Sequence, residues 1–256
     1  MSLDHKIIWH EVHCKDLDAT VAFYHELFGW TVKDEERETY VHLYHDGQTV
    51  AGLMADVAEQ GAPPCWTVYV GTSDIEAYAE RARAAGQTEL TPLMDIPHTG
   101  KLQILADPQG GVLAPFQPTH AERDHWDSSG KTGHFCWVEL LCRDQAAAVA
   151  HYKQVVGWDT MDMDMGSETY TMFVPPGGGQ MDAIGGAMQM PPDQPGPAAW
   201  LPYVSVDDVD ASAAKAVDLG GKLFVPPTPI PDYGRFAVIG DPEGATFAVF
   251  KRTGEC

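Results

Sequence analysis

Two short strings, WHEVH (9–13) and WVELL (137–141), set a glutamate between large side chains at alternating positions. In a strand, residues i, i+2 and i+4 share one face. Trp9, Glu11 and His13 then form one row, and Trp137, Glu139 and Leu141 form its counterpart. A carboxylate held among aromatic groups can take up and return a proton, and a neighbouring imidazole can orient it. Glu11 and His13 are therefore the candidate catalytic residues. YVHLY (40–44) repeats the alternation, so Tyr40, His42 and Tyr44 join Trp9 as candidate ligand-binding residues. Tyr69, Lys101 and His98, the last in the loop DIPHTGK, complete the set in the first half. Trp137, Glu139, Tyr170 and Arg235 are candidates in the second half, with Arg235 standing where Lys101 does. The same residues allow a plainer reading, with each Glu satisfied by neighbouring donors and each Tyr packed on a half-buried sheet.

These positions recur because the chain is a duplication. Residues 9–30 align without a gap to 137–158, and ten of the 22 positions are identical, among them Glu11/Glu139, Cys14/Cys142, Asp16/Asp144, Tyr24/Tyr152 and Trp30/Trp158. Residues 69–116 align to 203–250, pairing Asp74 with Asp208, Gly86 with Gly220 and Asp107-Pro108 with Asp241-Pro242. Between these blocks the extra residues of the second half fall at MDMDM (161–165) and PPGGGQ (175–180). Repetition at a fixed spacing marks repeated structural units.

Within one copy, residues 7–14 read as a strand. Asp16 or Asp18 caps a helix with an apolar stripe at Leu17, Val21, Tyr24 and Phe28, and Gly29 stops it. Strands at 40–44 and 49–54 flank a turn at Asp46-Gly47. A strand at 66–71, a helix from Asp74 to Gly86, and strands near 88–91, 101–105 and 112–116 follow. This is βαβββ twice in each copy. The fold class is α+β, with two tandem modules, each a pair of βαβββ units forming a curled mixed-sheet cup. The first module spans 1–120 and the second 131–256, joined by a polar linker at 121–130.

Composition narrows the function. The 256 residues carry 16 Lys and Arg against 37 Asp and Glu, a net charge of −21. No basic cluster is present to neutralise phosphates or anionic lipid, so nucleic acid and membrane are excluded as expected partners. Cys14, Cys65, Cys136, Cys142 and Cys256 are widely spaced, without a CxxC pair, and read as reduced thiols of a cytoplasmic protein. The sequence has no P-loop, no strand-linked GxGxxG and no GxSxG, and GGGQMDAIGG (177–186) reads as a turn plus strand. The expected partner is a small-molecule ligand, and the protein is a monomer or a homodimer.

A first helix bearing Asp16…Phe23-Tyr24…Phe28-Gly29-Trp30, followed by Asp107-Pro108-Gln109-Gly110 before the last strand, resembles the vicinal oxygen chelate superfamily. Its members include glyoxalases, bleomycin-resistance proteins and extradiol dioxygenases. The second half carries Asp144…Tyr152…Gly157-Trp158 and Asp241-Pro242-Glu243-Gly244. The chain looks closest to a two-module actinobacterial subgroup labelled glyoxalase-like or hydroxylase. The resemblance implies a cup that holds a small organic molecule. It also assigns metal-ligand slots, which fall here on Trp9, Cys65 and Ala114, and on Trp137, Leu201 and Ala248. Trp, Ala and Leu cannot ligate a divalent metal, so no cofactor is expected at the usual positions. Three functions stay open at this point: a protein that binds or transforms a small molecule in an aromatic cup, a metal-dependent lyase or dioxygenase with a nonstandard site built from Glu11, His13 and His42, and a non-catalytic binding or sequestering protein.

Overall fold

The structure is a computed structural model that describes residues 2–33, 40–55, 62–120, 131–164 and 169–253. The expected linker at 121–130, Met165 and Cys256 lie outside the described residues.

Among the described residues four α-helices form where the sequence supplies caps. They are α1 (Leu17–Phe28), α2 (Ile75–Ala84), α3 (Gln145–Val155) and α4 (Val209–Asp218). Each starts at an Asp whose Oδ1 accepts an N–H three residues on. The pairs are Asp16–Ala19 (3.0 Å), Asp74–Ala77 (2.9 Å), Asp144–Ala147 (2.9 Å) and Asp208–Ala211 (3.0 Å). Such caps satisfy donors that the first helical turn leaves open. Asp16, not Asp18, caps α1, and Gly29 ends it at φ 72°.

Among the described residues seventeen strands make two mixed sheets, one from each half of the repeat. In the first sheet the hydrogen-bonded order is β2-β3-β1-β4-β9-β7-β6, with the short β5 and β8 attached. These strands are β1 (Ile7–His13), β2 (Tyr40–His45), β3 (Gln48–Met54), β4 (Cys65–Gly71), β5 (Thr88–Glu89), β6 (Met94–Ile96), β7 (Gly100–Leu102), β8 (Leu105–Ala106) and β9 (Val112–Pro118). The second sheet runs β11-β12-β13-β10-β14-β17-β16-β15. Its strands are β10 (Phe135–Cys142), β11 (Asp159–Asp164), β12 (Thr169–Val174), β13 (Gly185–Gln189), β14 (Ala199–Ser205), β15 (Lys222–Ile230), β16 (Gly234–Gly240) and β17 (Thr246–Arg252). Strands β1 and β3 pair in parallel, as do β10 and β13, while β2–β3 and β12–β13 are antiparallel.

Local sequence misplaced some elements. The expected strand at 101–105 is split into β7 and β8, and β6 precedes it. Thr91 reaches across the split: its Oγ1 accepts from Ile104 N at 2.9 Å, and its carbonyl accepts from Gln103 Nε2 at 3.1 Å. The corresponding stretch of the second half runs unbroken as β16. Met161 to Asp164 of the MDMDM stretch lie in edge strand β11, and GGGQMDAIGG includes a short 3₁₀ turn at Gln180–Asp182 before β13.

By packing, the chain divides into two compact units. One holds Met1–Ile8, Val68–Asp124 and Val138–Trp200; the other holds Trp9–Thr67, His125–Trp137 and Leu201–Cys256. Each unit therefore contains a βαβββ segment from each half of the repeat. In the second unit, α1 packs against α4. Val12 and Cys14 of β1 join Phe23, Tyr24, Phe28 and Trp30 in a core that also takes Phe135, Val204, Ala213 and Phe247. Burying each such large side chain contributes about 1.5–3 kcal/mol.

The family-like motifs meet at a buried junction, once in each unit. In the second unit, Asp241 Oδ1 accepts from the N–H groups of Glu243, Gly244 and Ala245 at 2.8–3.0 Å, and Oδ2 accepts from the Tyr24 hydroxyl at 3.1 Å. Trp66 Nε1 donates to the same Tyr24 oxygen at 2.9 Å. In the first unit, Tyr152 donates to Asp107 at 2.8 Å and Trp200 donates to Tyr152 at 2.9 Å. The third residue of each turn covers a helix start: Glu243 accepts from Lys15 N and Asp16 N, and Gln109 Oε1 accepts from Arg143 N and Asp144 N.

Candidate functional site

Alternation decides what β1 offers. Val12 and Cys14 point into the helix-covered core, so Trp9, Glu11 and His13 occupy the opposite face. Glu11 and His13 are each about 6% exposed, and His13 Nε2 lies 3.2 Å from Glu11 Oε1. A contact of that length sets the imidazole directly beside the carboxylate.

Pairing of β1, β3 and β2 then sets a row across the second unit. Glu11 is in register with Gly52, and Gly52 with His42. Glycine at the centre leaves room between the carboxylate and the imidazole. Tyr40 uses that room: a Cβ on Gly52 would strike the Tyr40 hydroxyl and would come within 3.1 Å of Trp9 Nε1. His42 stands edge-on to Trp9 (5.9 Å) and to Tyr40 (5.3 Å), and Tyr44 lies 6.3 Å from His42. The Lys33 ammonium sits 4.1 Å above the Tyr44 ring. Trp9, His13, Tyr40, His42 and Tyr44 are all aromatic or imidazole, so this face offers π surface with one carboxylate and one cation near it.

The first unit repeats the pattern with changed chemistry. Glu139, 8% exposed, is in register with Gly186, which pairs with Met172, and Tyr170 covers Gly186 as Tyr40 covers Gly52. Leu141 stands in place of His13, and Met172 in place of His42. Trp137 is half-buried on β10. The glycine was missed in the sequence, although it recurs at the offset that aligns the later parts of the two halves. Lys33 was missed too, since its partner ring is eleven residues away.

Other candidates sit elsewhere. Lys101 Nζ donates to Glu76 Oε1 at 2.6 Å, and Arg235 holds Asp210 with bonds of 2.7 and 2.9 Å. Both cations therefore reach the first turn of a helix. In each pair the hydrogen bond is the main cause of the shifts, holding the carboxyl below and the cation above its ordinary range. Tyr69 is buried with its ring edge-on to Phe116 at 6.4 Å. His98 is exposed at the tip of the β6–β7 hairpin with φ 64°, and Asp232 repeats this turn with φ 66°.

The metal-ligand slots that the resemblance assigns do not suit a metal. Ala114 and Ala248 are fully buried carbon side chains, Leu201 is buried, and Cys65 is exposed. Among the described residues no group of three or more His, Cys, Asp or Glu is arranged to hold an ion, and Glu11, His13 and His42 form no such group. Zn or Fe sites need three or four such donors. Among the described residues no helix is long and apolar enough to cross a membrane.

Gly52→Ala is expected to eject Tyr40 from its seat and to cost about 1–3 kcal/mol of stability. Tyr40→Ala in the same chain should recover most of that loss. Thermal unfolding of the single and double variants checks it, and equal losses in both would remove Tyr40 from the explanation.

Comparison with known proteins agrees with this architecture. The family model "Glyoxalase/Bleomycin resistance protein/Dioxygenase superfamily" matches residues 6–114 and 133–249. A Mycobacterium tuberculosis protein named "Putative glyoxylase CFP32" is 32% identical over 252 residues, covering 95% of this chain and 93% of its own. "Anthracycline biosynthesis protein DnrV" of Streptomyces peucetius is 29% identical over 261 residues, covering 94% and 91%. Among solved structures, the Mn(II)-bound glyoxalase of Novosphingobium aromaticivorans superposes with a TM-score of 0.64 at 17% identity, covering 100% of this chain and 84% of that one. The 2,2',3-trihydroxybiphenyl 1,2-dioxygenase of Sphingomonas wittichii gives 0.63 at 14%, covering 97% and 90%. With both halves matched by one family model, the chain belongs to the glyoxalase/bleomycin resistance protein/dioxygenase superfamily.

Proposed function

We propose that the protein binds a small, flat organic molecule on the aromatic face of β1, β2 and β3, and that Glu11 moves a proton on it. The observation that carries this reading is the buried Glu11–His13 pair at 3.2 Å, beside the rings of Trp9, Tyr40 and His42. Glu11 accepts a proton from an acidic C–H or O–H of the ligand and returns it to another atom of that ligand. The step is redox-neutral and needs no second reactant. His13 holds the carboxylate in orientation, and Lys33 sets positive charge beside Tyr44 where an oxygen of the ligand can use it.

The names of the relatives suggest two probes. One is an anthracycline, whose own fluorescence reports binding; the other is an α-ketoaldehyde of the kind a glyoxalase handles. Saturable anthracycline quenching by the full chain, weakened about tenfold by Trp9→Ala through lost ring contact, supports the reading. Absence of saturable binding for both probes overturns it. A second reading applies to the first unit. Glu139, Tyr170 and Gly186 persist there without a histidine beside the glutamate, which favours binding without turnover at that copy.

A further inference from the structure

A buried pair of polar side chains joins the end of α2 to α3 in the first unit. Gly86 takes a left-handed turn (φ 82°) after α2, and the Gln87 N–H returns to Ala82 O at 3.0 Å. The Gln87 side chain then meets α3, with its Nε2 2.8 Å from His151 Nε2. Gln87 is 8% exposed and His151 9%. An amide NH₂ group only donates, so the ring nitrogen it meets accepts. The imidazole held here is therefore neutral. A proton added at His151 Nε2 sets donor against donor. Gln87 Oε1 is buried without a hydrogen-bond partner in the protein. Turning the amide over would bring that oxygen to the ring, but the new charge would still lie in a buried contact, which is costly.

The groups around His151 do not offset that cost. On α3, Tyr152 gives its hydroxyl to Asp107, and Lys153 turns to Thr160 of β11. The packed helix α2 brings Tyr78 and Arg81, and Arg81 Nε donates to Val155 O one turn beyond His151. Asp162 of β11 is taken by Thr171, and β13 carries no titratable residue. Asp107, in the turn after β8, favours an imidazolium, but its oxygens already accept from Gln109, Gly111 and Tyr152. Burial outweighs the pull of Asp107 and lowers the imidazole below its ordinary value. In the second unit the matching positions are Phe23 and Gly221, and Phe23 stands edge-on to Phe247 at 6.4 Å.

Helix α3 is also tied to its sheet. Gln145 Nε2 lies 3.0–3.2 Å from Thr169 O, Thr171 Oγ1 and Ala187 O. The strands it holds, β12 and β13, carry Tyr170 and Gly186 of that unit's face. We infer that the Gln87–His151 contact is a proton-operated latch: a proton taken up at His151 releases α3 from α2, and with α3 it loosens β12 and β13. The latch needs no ligand on either face.

The sign follows from burial. In the opened form the imidazole regains its ordinary value, about 6.5, whereas in the closed form it lies lower. The opened form binds the proton more tightly, so closure is complete above about pH 6.5 and weakens as pH falls below it, until the closed form takes up the proton too.

Hydrogen exchange of the full chain between about pH 5 and 8, read by mass spectrometry and corrected for the pH dependence of exchange itself, tests the latch. Protection of α3, β12 and β13 should fall below about pH 6.5, by up to about tenfold per pH unit, the limit for one proton. His151→Phe installs the residue of the second unit. His151→Gln keeps a hydrogen-bonding neighbour for Gln87 and takes up no proton, so it serves if the Phe variant folds poorly. Both variants should lose the fall, and slopes are compared, not absolute protection. Equal slopes in wild type and variants overturn the inference. So does flat protection in the wild type, or a His151 imidazole resonance that titrates at or above its ordinary value.

Discussion

Glu11→Gln protein is expected to keep its fold and its ligand while losing about 10²- to 10⁴-fold in turnover, the usual worth of a positioned acid or base. The substitution preserves volume and hydrogen-bonding capacity but removes the group that accepts the proton. His13 remains in place, 3.2 Å from the substituted position. The cleanest readout is exchange of an acidic C–H of bound ligand with deuterated water, followed by NMR, since it registers proton transfer whether or not product leaves. Exchange in the wild type, lost in Glu11→Gln with dissociation constants within about threefold, assigns the proton step to this carboxylate. Glu139→Gln should leave exchange unchanged, because Leu141 supplies no imidazole at that copy. Equal exchange in wild type and Glu11→Gln would refute the role of Glu11. Unchanged dissociation constants would then leave the binding surface itself standing.

The second large effect concerns stability. Asp241→Ala removes the acceptor for three backbone N–H groups and the Tyr24 hydroxyl at once. Each buried donor left without a partner costs about 1–3 kcal/mol. Partial relaxation brings the total to about 3–5 kcal/mol, in the range reserved for broken buried networks. For a chain of this size that lowers the thermal midpoint by about 10 °C. Asp241→Asn is milder, because its amide oxygen still accepts the three backbone donors. The two variants also separate charge from hydrogen bonding. Burial raises the Asp241 carboxyl above its ordinary range, against the lowering pull of the N–H groups and Tyr24. A carboxyl raised in the native state binds protons more tightly there than in the unfolded chain. Its contribution to stability is therefore complete below about pH 4, the unfolded value, and declines as pH rises through the native value. Urea unfolding across that window should show the decline in the wild type and its absence in Asp241→Asn. Parallel profiles for the two proteins would count against a buried, charged Asp241.

In the second unit the aromatic face and the core that holds Tyr24 and Trp66 lie on opposite sides of β1, so the two tests are separable. Trp66 and Val12 look toward the helices, while Trp9, Glu11 and His13 look away. A variant at Asp241 should lower stability with little change in ligand affinity per folded molecule, and a variant at Glu11 should do the reverse.

Much was legible in the sequence because its physics is short-range. The Asp caps act on an N–H three residues away, and Gly29 takes a left-handed turn that other residues avoid. The two-residue period of β1 fixes which side chains share a face with Glu11, and the repeat fixes that this happens twice. Periodicity cannot say which strand lies alongside or in what register. Only pairing of β1, β3 and β2 puts Gly52 between Glu11 and His42 and seats Tyr40 above it. Lys101 illustrates the other limit. Alternation puts Lys101 on a strand face, and only the fold brings Glu76, 25 residues away, to within 2.6 Å of its ammonium. The Tyr24–Asp241 bond joins residues 217 positions apart in opposite halves of the repeat. Both residues were visible as motif positions, but a motif repeated twice offers each tyrosine two aspartates. Tertiary packing made the choice, because helix α1 buries its apolar face against α4 and the Asp241 turn lies in that same unit.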